Sequence, residues 1–292
     1  MPWFRLPLFA RLARLSRLSR ATTGIAAALA LLVAGSPARA QDEVPFITTP
    51  DNVTLAMLEL AGVTANDTLI DLGSGDGRIV ITAARRFGAR GLGVEIVGDL
   101  VAQSRSNARA AGVADKAEFR EQDLFLTDLS GARVITMYLL TEVNLQLRPR
   151  LLALAPGTRI VSHDWGMGEW QPERSVTLDV PDKTIGRDKR STVHLWIVPA
   201  RVAGLWCTEG GRLELTQRFQ TVSGALSADG NPAPVTVFDG RVQADGLHAG
   251  PELRGSPLVL RLEGDALRVT QAIGPGATFD RKRFRRAGPQ GC

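Results

Sequence analysis

Residues 69–80 read LIDLGSGDGRIV, and this stretch decides the fold. An apolar, strand-like run enters a turn with glycine at 73, 75 and 77, then passes into an apolar-periodic segment that predicts a helix. Glycines placed so allow a tight turn and let the backbone approach a ligand closely, with free N–H groups of a helix start behind them. The spacing is D-x-G-x-G-x-G, from Asp71 through Gly77. It is not the G-x-G-x-x-G of dinucleotide binders, because Arg78 follows the third glycine.

Downstream the pattern alternates. Strands are expected over 68–72, 91–95, 117–121, 133–139 and 159–163, and helices over 77–87, 99–111 and 143–152. Short connections between them imply parallel βαβ units. A further helix is expected to start at Thr49-Pro50-Asp51, with Thr49 as cap, and to end at Gly62. Strands over 174–180 and 192–198, joined by a charged loop without helical pattern, imply a final antiparallel hairpin. Beyond Pro199 the sequence turns to short alternating strands cut by Gly, Asn, Asp and Pro, which predicts a small antiparallel β domain over 204–292, either a sheet or a partial barrel.

Two more acids fall in register with the glycine turn. Glu95 ends the second strand, where a carboxylate accepts ribose hydroxyls. Asp123 follows the third, where it can receive an adenine amino group. Asp71, Glu95 and Asp123 thus share the carboxyl edge of the sheet, where open α/β folds bind ligands.

These residues resemble the class I S-adenosylmethionine (SAM) methyltransferases over 46–198. The segments VPFITTPDNVTLAMLELAGV, LIDLGSGDGRIVITAARRFGARGLGVE, EQDLF, MYLLTEVNLQLRPRL and RIVSHDWGMGEW are similar to a small family of protein-lysine methyltransferases. Characterised members of that family modify the ATP synthase c-subunit and the adenine nucleotide translocator. The resemblance implies a seven-stranded Rossmann-like sheet over 41–200, SAM as cofactor and a protein lysine as acceptor, with no metal and no nucleic acid. It implies that Asp71, Gly73, Ser74, Gly75, Asp76 and Gly77 cradle the methionine part of SAM. Glu95 would hold the ribose, and Asp123 with Leu124 the adenine. Phe46 and Thr49 would fold over the cofactor, and Tyr138 would line the methyl-transfer point. Thr141 stands where the family usually has proline.

An acceptor lysine must lose a proton, and Glu142, Asn144, His163 and Asp164 lie at strand ends as candidates to assist. Three of them have a plainer reading: Glu142 as a helix-dipole partner, His163 and Asp164 as loop hydrogen-bonding groups. Trp165 and Trp170 either wall an acceptor channel or pack on the core.

The first forty residues stand apart. Five arginines precede the apolar run 21–35, and Ser36-Pro37-Ala38-Arg39-Ala40 ends in small residues, which predicts a secretory signal cleaved after Ala40; the alternative is an uncleaved membrane anchor facing the cytosol. The chain carries 35 Lys+Arg against 30 Asp+Glu, but six of those arginines lie in 1–40, so the remainder is close to neutral and its charge gives no reason to expect nucleic-acid binding. The basic run at 281–286 reads as a solvated edge strand or tail, or as a patch for an anionic membrane surface. Export places Cys207 and Cys292 in an oxidising compartment, where a disulfide and two free thiols are both admissible. A cytosolic cofactor loop behind an export signal leaves three readings. They are a membrane-held enzyme on the cytosolic side, a periplasmic SAM-binding protein, and an exported non-catalytic scaffold.

Overall fold

The computed structural model describes residues 47–183, 188–250 and 257–292. The expected signal segment 1–40 and Phe46 lie outside the described residues. Residues 47–292 form one compact unit.

Its first part is a seven-stranded sheet. The strands are β1 Thr68–Leu72, β2 Arg90–Glu95, β3 Ala117–Glu121, β4 Val134–Met137, β5 Arg159–His163, β6 Arg174–Asp179 and β7 Arg190–Ile197, in the spatial order β3-β2-β1-β4-β5-β7-β6. β1 to β5 are parallel, and β7 runs antiparallel between β5 and β6. The order reverses at β1, which pairs with β2 on one side and β4 on the other. That reversal opens a crevice at the carboxyl ends of these strands.

Four helices cover the sheet: α1 Asp51–Leu60, α2 Arg78–Phe87, α3 Gly98–Ala110 and α4 Thr141–Leu151. Because strand side chains alternate, Leu69, Val134 and Val161 pack with α1, α2 and α3 residues such as Met57, Val80 and Val101. Leu72, Ile135 and Ile160 pack with Leu147 and Leu151 of α4 on the other face. Both faces are therefore covered, which is why the strands read as continuous apolar runs. Each such buried Leu or Ile contributes roughly 1.5–3 kcal/mol over leaving it exposed.

The start of α1 differs from expectation. The helix begins at Asp51, Pro50 occupies the cap, and no side chain caps it. Thr49 lies one residue too early to reach the free N–H groups, and its hydroxyl turns inward to 3.4 Å from His163 Nδ1. At the other end Gly62 takes φ +59°, and the Gly62 and Val63 amides donate to Glu59 and Leu58 carbonyls, closing the helix with a Schellman turn.

The second part is a closed eight-stranded barrel, where sequence reading allowed an open sheet or a partial barrel. Its strands are β8 Gly204–Thr208, β9 Gly211–Arg218, β10 Thr221–Ala228, β11 Thr236–Gln243, β12 Gly246–Ala249, β13 Leu258–Glu263, β14 Ala266–Ala272 and β15 Arg283–Arg286. Consecutive strands pair antiparallel, and β15 returns to β8. Closure removes both edges of the sheet. Trp206, Leu213, Leu215, Val222, Leu260, Leu267, Val269 and Phe284 fill the interior. The basic run is thus a strand paired on both sides, not an edge or a tail. Arg283 pairs with Glu263, and the Arg286 guanidinium lies 4.3 Å over the Trp206 ring. Cys207 and Cys292 form a disulfide that ties the last residue to the β8–β15 seam.

Candidate functional site

The glycine turn is knitted to its neighbours by backbone bonds. Gly73 and Ser74 amides both donate to the Val94 carbonyl at 2.9 Å, and Gly75 donates to Glu95 Oε2 at 3.0 Å. Gly77 takes φ +83° directly before α2. A Cβ there would lie 2.6 Å from the Phe119 ring and 2.8 Å from Ser104, so both the turn and the packing demand glycine.

Asp71 is buried in β1 and accepts a 2.7 Å bond from the Thr136 hydroxyl of β4. Burial pushes its pKa up to about 7, against the lowering effect of the Thr136 bond, and the nearby Glu95 and Asp76 charges add to the rise. The site therefore holds a carboxyl group that would ionise fully beside a cationic ligand.

Glu95 sits at the end of β2. Its Oε1 accepts from the Ile96 and Val97 amides at 2.8 and 3.1 Å, so its position is fixed by three backbone donors together with Gly75. Asp123 begins a short 3-10 turn over Leu124–Leu126 and accepts from the Phe125 amide at 2.7 Å. Leu124 holds this turn through its carbonyl, which accepts from Arg150. Ile96, next to Glu95, and Leu126, three residues after Asp123, are exposed apolar side chains. Sequence reasoning passed over both.

Asp76 is engaged differently from the other loop acids. Arg78 clamps its carboxylate with Nε and Nη2 and donates from Nη1 to the Thr49 carbonyl at 2.8 Å. Arg78, Asp76 and Thr49 thus fasten the lead-in segment to the glycine turn. Hydrogen bonding to Asp76, and after it the Asp76 charge, raises the Arg78 pKa against the lowering effect of burial.

On the other side of the β1–β4 reversal, Tyr138 follows β4 and stacks on the His163 ring at 3.9 Å between centroids. His163 is buried, with Nε2 2.9 Å from Ser191 Oγ and Nδ1 near Thr49 Oγ1. Burial lowers its pKa to about 4, despite the opposing pull of Asp164, so the ring is neutral at physiological pH. Asp164 holds φ +59°, accepts from the Thr192 amide at 2.8 Å and pairs with Lys183 Nζ at 2.7 Å. Tyr138, Asp164, Trp165, Thr177, Lys183 and Arg190 contribute to the wall of a cavity of about 500 Å³. Lys183 and Ser191 carried no sequence signal, since one lies in a charged loop and the other opens a strand.

The structure separates the remaining candidates. Glu142 is exposed in the first turn of α4. Asn144 is fully buried, and its Nδ2 donates to the Trp165 and Gly166 carbonyls at 3.2 and 3.3 Å, so it shapes the loop after β5. Trp165 is 41% exposed on the cavity wall, while Trp170 is buried in the core. A second cavity, of about 620 Å³, is lined by Thr68, Arg90 and Ala117 at the amino ends of their strands, away from the acids.

The residues fit SAM by their chemistry. The crevice offers carboxylates for an ammonium and a ribose diol, and exposed apolar side chains near Glu95 and Asp123 for a purine. Fold and site together define a class I SAM-dependent methyltransferase. A family model described as the ANTKMT methyltransferase domain matches residues 71–174. A protein-lysine N-methyltransferase of Saccharolobus islandicus is 38% identical over 157 residues, which is 53% of this chain and 94% of the relative. The ATP synthase c-subunit lysine N-methyltransferase of Caenorhabditis elegans is 29% identical over 168 residues, 52% of this chain and 88% of the relative. A solved RNA methyltransferase from Salinibacter ruber, in complex with S-adenosyl-L-homocysteine, is 52% identical with a TM-score of 0.48, covering 53% of this chain and 96% of that one. The chain belongs to this methyltransferase family, and it is an enzyme that uses SAM.

Proposed function

We propose that the enzyme methylates a lysine side chain of a protein. One observation carries this reading: the cavity beside Tyr138 already accommodates a primary ammonium. Lys183 Nζ donates there to Asp164 Oδ2 at 2.7 Å and to the Arg190 carbonyl at 2.6 Å, between walls that include Tyr138 and Trp165. An acceptor lysine has the same chemistry. The relatives named as lysine methyltransferases support the same acceptor class.

SAM supplies the activated methyl group, and the chain supplies alignment and dryness. In this reading Asp71, the backbone of Gly73, Ser74, Gly75 and Gly77, Glu95, Asp123 and Leu124 hold the cofactor. Asp76, Arg78 and Thr49 brace the turn. Tyr138, kept in place by the neutral His163, orients the acceptor together with Trp165. The incoming ammonium takes the place of Lys183 on Asp164, and that carboxylate receives its proton before transfer. Asn144 fixes the loop, and exposed Glu142 is the alternative proton acceptor. The test is methyl transfer from isotopically labelled SAM into a lysate of the source cells, with amino-acid analysis. Label in N-methyllysine supports the reading, and label confined to other residues or to RNA contradicts it.

We further infer that the mature protein is exported, starts at Gln41 and consists of a methyltransferase domain over 41–200 and a barrel domain over 204–292. The Cys207–Cys292 disulfide supports an oxidising compartment. N-terminal sequencing of protein from fractionated cells tests this, and recovery of an intact residue 1 in the cytosolic fraction contradicts it.

A further inference from the structure

The β9–β10 hairpin and the adjoining strand β11 of the barrel meet the segment that follows β5. Between β9 and β10, Phe219 takes φ +53° and its ring packs into the core of the methyltransferase sheet rather than that of the barrel. It stacks on Trp170 with centroids 6.3 Å apart and planes inclined by 15°, and the Arg148 guanidinium lies 5.5 Å from it. Neighbouring contacts extend the grip along one segment. Gln220 donates to the Gln171 carbonyl at 2.8 Å, Arg218 pairs with Glu169 at 2.6 Å, and Arg241 pairs with Glu173 at 3.0 Å.

That segment is the continuation of the loop that carries Asp164 and Trp165. Its first half is held from α4, by Asn144 on Trp165 and Gly166 and by Arg148 on the Met167 carbonyl at 3.0 Å. Arg148 therefore links both grips, with one nitrogen on the loop and its plane over Phe219. The family model ends at residue 174, and nearly half of this chain has no counterpart in the Saccharolobus relative. The barrel is thus an addition that lands on the cavity loop.

We propose that the barrel braces the acceptor loop and that Phe219 is a positioning residue for Trp165. This rests on reading the Tyr138 cavity as the acceptor site. Transfer by in-line displacement is sensitive to small misplacements of the acceptor, so a fixed wall matters to the reaction while leaving cofactor binding untouched.

The test uses the full-length protein and two variants. Phe219→Gly removes the ring and suits a positive φ, so the turn itself is not strained. Phe219→Tyr keeps the ring. Amide hydrogen exchange over residues 165–170, acrylamide quenching of Trp165 fluorescence (assigned with Trp165→Phe) and SAM titration are measured together. Phe219→Gly is expected to accelerate loop exchange about tenfold and to raise Trp165 quenching, with SAM affinity within about twofold of wild type. Phe219→Tyr is expected to restore both. Unchanged exchange and quenching in a folded Phe219→Gly protein would overturn the proposal. So would faster exchange spread evenly over sheet and barrel, which indicates general loss of stability. None of these readouts requires the acceptor to be lysine, so failure of the acceptor assignment is seen separately, in the labelling experiment.

Discussion

The His163 imidazole stacks against the Tyr138 phenol, with ring centroids 3.9 Å apart and planes inclined by 28°. This contact joins the carboxyl ends of the neighbouring strands β4 and β5, on one side of the crevice at β1. Burial keeps His163 neutral; its nitrogens face the Thr49 and Ser191 hydroxyls, and Nε2 also lies 3.5 Å from Asp164 Oδ2.

His163 makes stability pH-dependent in one direction. Its pKa falls from an ordinary 6.5 to about 4 on folding. Between these values the unfolded chain takes up the proton first, so this contribution to stability is complete above 6.5 and is lost as pH falls towards 4. His163→Gln should flatten this limb of a plot of unfolding free energy against pH. An unchanged slope in the variant would remove His163 from the account.

Asp71 acts with the opposite sign. Its pKa rises from an ordinary 3.8 to about 7 on folding. The folded chain therefore holds this proton more tightly, and stability falls as pH rises from about 4 to 7, then levels. Asp71→Asn keeps an acceptor for the Thr136 hydroxyl and removes the buried charge. It should raise apo-protein stability at pH 8 by about 1–2 kcal/mol, a Tm gain of roughly 2–8 °C, while weakening SAM binding. Thermal unfolding and titration of the same sample check both halves, and a destabilised variant contradicts the assignment.

The disulfide joins residues 85 apart and closes a loop that runs from within β8 through the rest of the barrel. Replacing Cys207 and Cys292 by serine should lower stability by roughly 4 kcal/mol in the chain-entropy view. The loss should appear first in barrel amides by hydrogen exchange. Equal Tm values for the oxidised and the double-serine protein would show that the seam of β8 and β15 holds without the bond.

Much of this architecture was legible from particular residues. The apolar runs at LIDL and GLGVE announced strands covered on both faces, and the glycines with Asp71, Glu95 and Asp123 marked the carboxyl edge. Closure of the barrel was not legible, because nothing in the short strand RFRR says which partner it finds. The Lys183–Asp164 pair was equally hidden, since its partners are 19 residues apart and meet only through the β5–β7 pairing. Thr49 misled because a threonine before proline suits a cap, whereas the helix starts at Asp51 and the burial of His163 draws the hydroxyl inward.

The most direct test of the account is calorimetric titration of the purified full-length protein with SAM, beside Glu95→Ala and Asp71→Ala. Micromolar binding by the wild-type chain is expected, weakened about tenfold or more in each variant, because each loses a charged hydrogen-bonding partner. A folded wild-type protein that gives no binding heat and no thermal shift with SAM would contradict it.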